Sequence, residues 1–344
     1  MTPDSNVHLA VSPRRDPNQP RNTPIPEPFE IIPFSTRGWF YSAARRLRKI
    51  FRRWDADAIF VSTDSEHLIA STACRLSGNG AVVRWTPAGK KLEMGLGGRW
   101  ASRLAPTLYL FANVTDQRAA NIPKNALDSG IAELGVNVEN YPTASAKAAE
   151  APTDKEHNPA LNYVVCIYDP TSRGRAATAI RTVSMLAPRH PNLRLIIVGP
   201  GSDDEDLRMQ AAALRVLHLV SFLGERDDQI NLMQDAHLGW VVAEGDTGAY
   251  GILDMMALGI PTVASEGGIA QRYIAHGISG ALYPPDDSAG TAATVADMLK
   301  SEESREAMGK AARTRVMREF PESAMFEAFD RAANNARTRS RRSG

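Results

Sequence analysis

Two carboxylates eight residues apart, Asp246 and Asp254, bracket the stretch DTGAYGILD, and their type and spacing suit a polyhydroxy ligand. Asp254 interrupts the run ILDMMAL (Ile252 to Leu258), which is apolar at every other position and is therefore expected in a buried helix. An unpaired buried carboxylate is costly, so Asp254 requires a partner. An ionised carboxylate has two acceptor oxygens and can take both hydroxyls of a ribose. On a helix the two aspartates stand about 12 Å apart along the axis. Asp246 alone reads more simply as a helix N-cap.

The elements that must position these residues follow from the flanking sequence. Gly259 stands where a left-handed C-terminal glycine is expected and Pro261 prevents the helix from continuing. A strand, Thr262–Ser265, then leads into Gly267-Gly268. From about Asn162 onward, β-rich runs alternate with helical patterns, as in a parallel sheet wound with crossover helices. The expected strands are Tyr163–Tyr168, Leu193–Gly199, Val220–Leu223, Gly239–Ala243, Thr262–Ser265 and Ala281–Tyr283. In such sheets ligands collect outside the carboxyl ends of strands, where the loops Ala243–Gly248 and Ser265–Gly268 both emerge.

The first half alternates less cleanly, with strands expected at His8–Ser12, Glu30–Pro33, Ala58–Ser62, Ala81–Trp85 and Tyr109–Ala112. Helices are expected around Gly38–Trp54, Ser65–Leu76 and Gly98–Leu104. Thr143–Pro159 is rich in Ala, Pro and charge and reads as a linker. The expected organisation is α/β throughout: an N-terminal Rossmann-like domain over residues 1–150, a C-terminal one over 160–320, and a C-terminal helix with a basic, disordered tail over 321–344.

Composition narrows the partners. Lys+Arg 40 against Asp+Glu 39 gives a net charge of +1, so no field of one sign points to nucleic acid. Cys74 and Cys166 lie far apart in apolar or helical surroundings, which suggests reduced thiols and a cytoplasmic setting. The N-terminal residues are too polar and Pro-broken for a signal peptide, and no run of about 18 apolar residues occurs.

With these residues in view, Asn162–Phe320 resembles the glycosyltransferase family 4 type, retaining nucleotide-sugar-dependent enzymes of GT-B fold. Asp246 and Asp254 fall on the two glutamates of that family's E-x7-E region. LIIVGPG (Leu195–Gly201) is similar to its glycine-ended second strand, VSFLG (Val220–Gly224) to its base-side loop, and Asp235-Ala236-His237 to the stretch before its fourth strand. Gly267-Gly268 with Ile274–Asp286 resembles its GG segment, and Met308–Phe320 its penultimate helix. The resemblance implies two doubly wound domains and a nucleoside-diphosphate sugar as co-substrate, with no metal or other cofactor. Asp254 would hold the ribose, Asp246 would sit near the donor sugar, and Gly267 and Gly268 would offer backbone N–H groups to the sugar or phosphates. Gly199, Gly201 and Gly224 would line the donor site. Arg173, on the family's lysine position, would pair with the diphosphate.

Departures from the pattern are as informative. Tyr168 stands where the family's second phosphate-binding cation is expected, and Gln271 stands where a glutamate usually follows the GG pair. Aspartate for glutamate withdraws each motif carboxylate by roughly 1.5 Å, a displacement that can cost about a hundredfold in rate. His8–Ser12 is followed by PRRDPNQPRNTP with no Gly-Gly, and Gly97-Gly98 lies too late to replace that loop by alignment, so the N-terminal domain is expected to be incomplete or divergent.

The leading expectation is a slow retaining glycosyltransferase with an unknown acceptor, in which Asp246 and Arg173 act at the reacting centre. The alternatives are a degenerate GT-B protein that binds a nucleotide or partner without turnover and, ranked lower, a nucleotide-sugar 2-epimerase. The segment Gly38–Trp54 carries six cations and no acid beside an apolar stripe. Such a helix can dock transiently on anionic lipid at the inner membrane face. The plainer reading packs the stripe on the sheet and leaves the cations solvated.

Overall fold

The structure is a computed structural model that describes residues 8–11, 30–33, 39–53, 56, 58–78, 80–92, 94–142, 161–285 and 287–342. The expected linker and the Pro-rich stretch after His8–Val11 lie outside the described residues. The chain divides into two compact units, Met1–Glu133 with Met325–Gly344, and Leu134–Ala324.

In the first unit, β1 (His8–Val11) and β2 (Glu30–Pro33) pair in parallel as a separate two-stranded sheet. Then come α1 (Phe40–Arg53), β3 (Ala58–Val61), α2 (Asp64–Ser77), β4 (Ala81–Thr86), α3 (Leu96–Leu104), β5 (Thr107–Phe111), α4 (Val114–Ala119) and β6 (Asp128–Ile131). The last four strands form one parallel sheet in the order β3-β4-β5-β6. That order has no reversal, so among the described strands this sheet lacks the switch point of a doubly wound domain. α2 begins with a capping box, in which the Thr63 hydroxyl accepts from the Glu66 N–H and Glu66 accepts from the Thr63 N–H at 2.9 Å.

The second unit opens with a tight turn at Val138–Asn140, followed by β7 (Asn162–Ile167), α5 (Arg173–Leu186), β8 (Leu193–Val198), α6 (Glu205–Ala213), β9 (Val220–Phe222) and α7 (Gln229–Gln234). It continues with β10 (Leu238–Val241), α8 (Gly245–Leu258), β11 (Thr262–Ser265), α9 (Ala270–Tyr273), β12 (Gly280–Tyr283), α10 (Ser288–Leu299) and α11 (Glu302–Glu319). Its six parallel strands are ordered β12-β11-β10-β7-β8-β9. The chain reverses direction across the sheet between β7 and β10, the doubly wound arrangement expected from the sequence. Val164, Cys166, Leu195, Ile197 and Trp240 are buried in the core of this sheet, as the near-continuous apolar runs require.

Two boundaries differ from expectation. The first unit ends at Glu133, and Leu134, Val136 and Val138 are already buried in the second. Val136 bridges to Pro321, donating to the Phe320 carbonyl at 3.1 Å and accepting from the Glu322 N–H at 3.2 Å. The expected C-terminal helix is α12 (Glu322–Arg342), with Ala328, Ala332 and Ala336 on one face, and it runs on through Arg337–Arg342, where a disordered tail was expected. Those alanines pack with Ala81, Val83, Leu108 and Leu110 in the first unit's core.

Candidate functional site

The crevice of the second unit lies between the carboxyl ends of β7 and β10, where the sheet reverses. Asp169, just after β7, joins the two ends. Its Oδ2 accepts from the Glu244 N–H at 2.9 Å, and its Oδ1 accepts from the Thr171 N–H at 2.8 Å and the Ser172 hydroxyl at 3.1 Å. Burial opposes its charge, but these hydrogen bonds prevail and hold the Asp169 carboxyl below the usual range. The tight turn Pro170–Ser172 then delivers Arg173 and Arg175 to the first turn of α5.

Both guanidinium groups are engaged. Arg173 pairs with Asp204, at 3.1 Å, and with Asp206. Arg175 pairs with Glu244 and donates to the Val242 carbonyl at 3.3 Å. Asp169, Arg175 and Glu244 were not singled out by the sequence, although Asp-Pro-Thr-Ser is a readable turn signature.

The glycines expected at the donor site divide into two groups. Gly199, Gly201 and Gly224 lie in the loops after β8 and β9, joined by the buried Ser202, whose hydroxyl accepts from the Gly224 N–H at 2.9 Å and donates to the Ile197 carbonyl at 3.2 Å. Gly199 donates to the Gly224 carbonyl, and a side chain at Gly199 would come within 2.1 Å of the Tyr168 carbonyl oxygen. Close backbone packing therefore already accounts for this glycine. Gly267 and Gly268 follow β11 with φ of 95° and 57°, conformations that favour glycine, and both are exposed. The helix after them, α9, is only four residues long, and Gln271 on it is exposed.

Tyr168 is 2% exposed and packs in the core with Cys166 and Ile197. Burial and then the nearby Asp204 carboxylate raise its phenol pKa, with Arg173 pulling the other way, so its hydroxyl lies within electrostatic reach of the same crevice.

Asp246 lies in the first turn of α8, where an acid is favoured by the helix dipole. The N-cap itself is Glu244, which makes no side-chain capping bond. Asp254 sits eight residues on, and its partner is a protein group: the Tyr141 hydroxyl donates to Asp254 Oδ1 at 2.5 Å. Burial pushes the Asp254 carboxyl up to about 6, with the Tyr141 hydrogen bond pulling the other way. Tyr250, one turn before Asp254, has its phenol pKa raised by burial and then by the nearby Asp246, Asp254 and Glu322 carboxylates. A cavity of about 290 Å³ opens beside this group, lined by Asn137, Asn140, Tyr141, Ile230, Tyr250 and Glu322 among others. None of the lining residues carries a positive charge.

A doubly wound domain with arginines and carboxylates paired at its switch-point crevice, following a second parallel-sheet unit, defines an α/β class to which the GT-B glycosyltransferases belong. The sequence model of the family described as glycosyl transferases group 1 matches residues 153–315, most of the second unit. A phosphatidyl-myo-inositol mannosyltransferase of Mycolicibacterium smegmatis is 34% identical over 159 residues, 44% of this chain and 39% of that protein. A glycosyltransferase from Rickettsia africae superposes with a TM-score of 0.72 at 14% identity, covering 89% of this chain and 85% of that one. Anabaena HepE, solved in complex with UDP, gives a TM-score of 0.71 at 19% identity over 89% and 86% of the two chains. The fold is thus the GT-B fold. The chain matches less than half the length of its curated relatives, 39% of that mannosyltransferase and 33% of an N-acetyl-alpha-D-glucosaminyl L-malate synthase of Bacillus anthracis. Among the described residues no helix is long and apolar enough to cross a membrane.

Proposed function

We propose that this chain transfers a sugar, with retention, from a nucleoside-diphosphate sugar to a hydroxyl acceptor. The observation that carries the reading is the switch-point crevice, where Arg173 and Arg175 stand in the first turn of α5 and the Glu244 carboxylate that Arg175 engages lies beside the exposed, positive-φ Gly267-Gly268 loop. The UDP and UDP-glucose complexes of HepE support a nucleoside-diphosphate donor. In a retaining transfer the developing charge lies mainly on the departing diphosphate, and preorganised cations and N–H donors lower that barrier. Arg173 and Arg175 would supply the cations, Gly267 and Gly268 the N–H groups, Asp246 a contact to the donor sugar, and Asp254 a contact to the ribose. Gly199, Gly201 and Gly224 shape the floor of the same site. We assign no resident metal or cofactor, and the acceptor is left open. Transient docking on anionic lipid belongs to the same proposal.

A second reading, binding without turnover, is favoured by one observation: Arg173 and Arg175 are each already paired with carboxylates. One experiment separates the two. Wild type and Asp254→Ala are titrated calorimetrically with UDP, GDP and ADP, and the release of free diphosphate from UDP-glucose and GDP-mannose is followed. The transferase reading expects wild-type binding, slow release, and loss of binding in a folded Asp254→Ala. Binding without release supports the second reading, and unchanged affinity in Asp254→Ala overturns the ribose assignment.

A further inference from the structure

The carboxylate assigned to the ribose is already half occupied. Tyr141 donates to Asp254 Oδ1 at 2.5 Å, and the turn that leads into Tyr141 is held by contacts of its own. The turn Val138–Asn140 is held by Asn137, whose side chain accepts from the Glu139 N–H at 3.0 Å, and Tyr141 itself donates its N–H to the Val138 carbonyl at 3.2 Å. Arg313 on α11 then ties this turn to the helix that carries Asp254. It donates to the Val138 carbonyl at 3.3 Å and also to the Ala257 carbonyl, one turn beyond Asp254. The Val136 bridge to Pro321 anchors the start of the same segment. Tyr141 is therefore delivered to Asp254 by backbone and arginine contacts that do not depend on the Tyr141 hydroxyl.

The phenol acts as the donor in this pair, since burial and the adjacent Asp254 carboxylate both raise its pKa. With the Tyr141 hydroxyl engaging Oδ1, Oδ2 is the oxygen that Asp254 keeps for an incoming ligand. The adjoining cavity presents Asn137, Asn140, Tyr250 and Glu322, a lining suited to neutral hydroxyl groups and poor for phosphate.

We propose that Tyr141 determines sugar specificity at the nucleotide site, restricting Asp254 to one hydroxyl of the ribose, so that the site accepts 2′-deoxyribose almost as readily as ribose. The inference rests on the donor-site reading of Asp254 given above. It concerns recognition of the nucleotide sugar and leaves the transferred sugar unaddressed.

The test is calorimetric titration of the full chain with UDP and dUDP, GDP and dGDP, and ADP and dADP, for wild type and Tyr141→Phe. Wild type should bind the members of a pair within about threefold of each other. Tyr141→Phe frees the second oxygen and should favour the ribo form by about tenfold or more, the scale of one hydrogen bond to a charged group. Tyr141→Leu carries the same expectation and serves if the first variant does not fold. A wild-type preference of about tenfold for ribose, or a variant with an unchanged ratio, overturns the inference while leaving the donor site standing. Failure of every diphosphate to bind either protein overturns the donor-site reading, and this inference with it.

Discussion

Arg173 and Asp254 raise the same physical question, since each is paired within the protein and each is assigned to a ligand. The Arg173 pairs with Asp204 and Asp206 are partly exposed, and such pairs contribute at most about 1 kcal/mol. A diphosphate carries more charge than either carboxylate and can displace them. The double variant Asp204→Asn, Asp206→Asn should therefore bind nucleoside diphosphates up to about fivefold more tightly, and Arg173→Ala should bind them more weakly. Titration of the three proteins at matched salt decides this. Equal affinities in all three would remove Arg173 from the diphosphate. The sequence made Asp254 conspicuous through its apolar neighbours, but its partner is 113 residues away. Nothing in ENYP marks Tyr141 as a partner, because a hydrogen bond between distant segments leaves no local pattern.

At the level of elements, α8 was legible because its ends are written in Gly259 and Pro261 and its interior is apolar. α1 was legible as a helix, but periodicity alone could not say what covers its stripe. Ala43, Ala44 and Phe51 are buried, and the stripe packs against Ile69, Ala73 and Cys74 of α2. Trp54 lies outside the described residues. The apolar face is therefore occupied, and among the described residues of this segment a membrane could be met by Trp39, 74% exposed, Phe40 and the exposed cations Arg45, Arg46, Lys49, Arg52 and Arg53. Cation-led docking is screened by salt. Co-sedimentation with phosphatidylserine vesicles should be measurable at low salt, lost at about 0.5 M salt, and reduced by charge reversal at Arg52 and Arg53. Binding that survives high salt would mean that apolar insertion, which this packing disfavours, is the driving force. β6 went unread because DSGI is short, polar and contains glycine, and α4 because six residues carry too little periodicity.

Across the whole chain, the two units carry opposite responses to acid. In the first, His67 hydrogen-bonds the Thr107 hydroxyl at 3.0 Å, and burial, aided by the Arg84 guanidinium, holds its pKa down at about 4. The unfolded chain takes up a proton near pH 6.5 while the folded unit refuses it until about 4, so the first unit loses stability as pH falls through that window. In the second, Asp254 is raised to about 6 by burial, against 3.8 unfolded. The folded unit protonates first, so the second unit gains stability as pH falls from about 6 toward 4. Each effect is bounded at about 3 kcal/mol, from about two pKa units. Glu66, Asp169, Asp228 and Glu319 are held below their usual range and respond at lower pH. Amide exchange between pH 6.5 and 4, corrected for intrinsic rates, should show Val83 and Leu110 losing protection while Ile197 and Trp240 hold or gain it. His67→Gln should remove the first change and Asp254→Asn the second. A parallel loss in both units, unaltered by either variant, would show that these two buried groups do not govern the acid response.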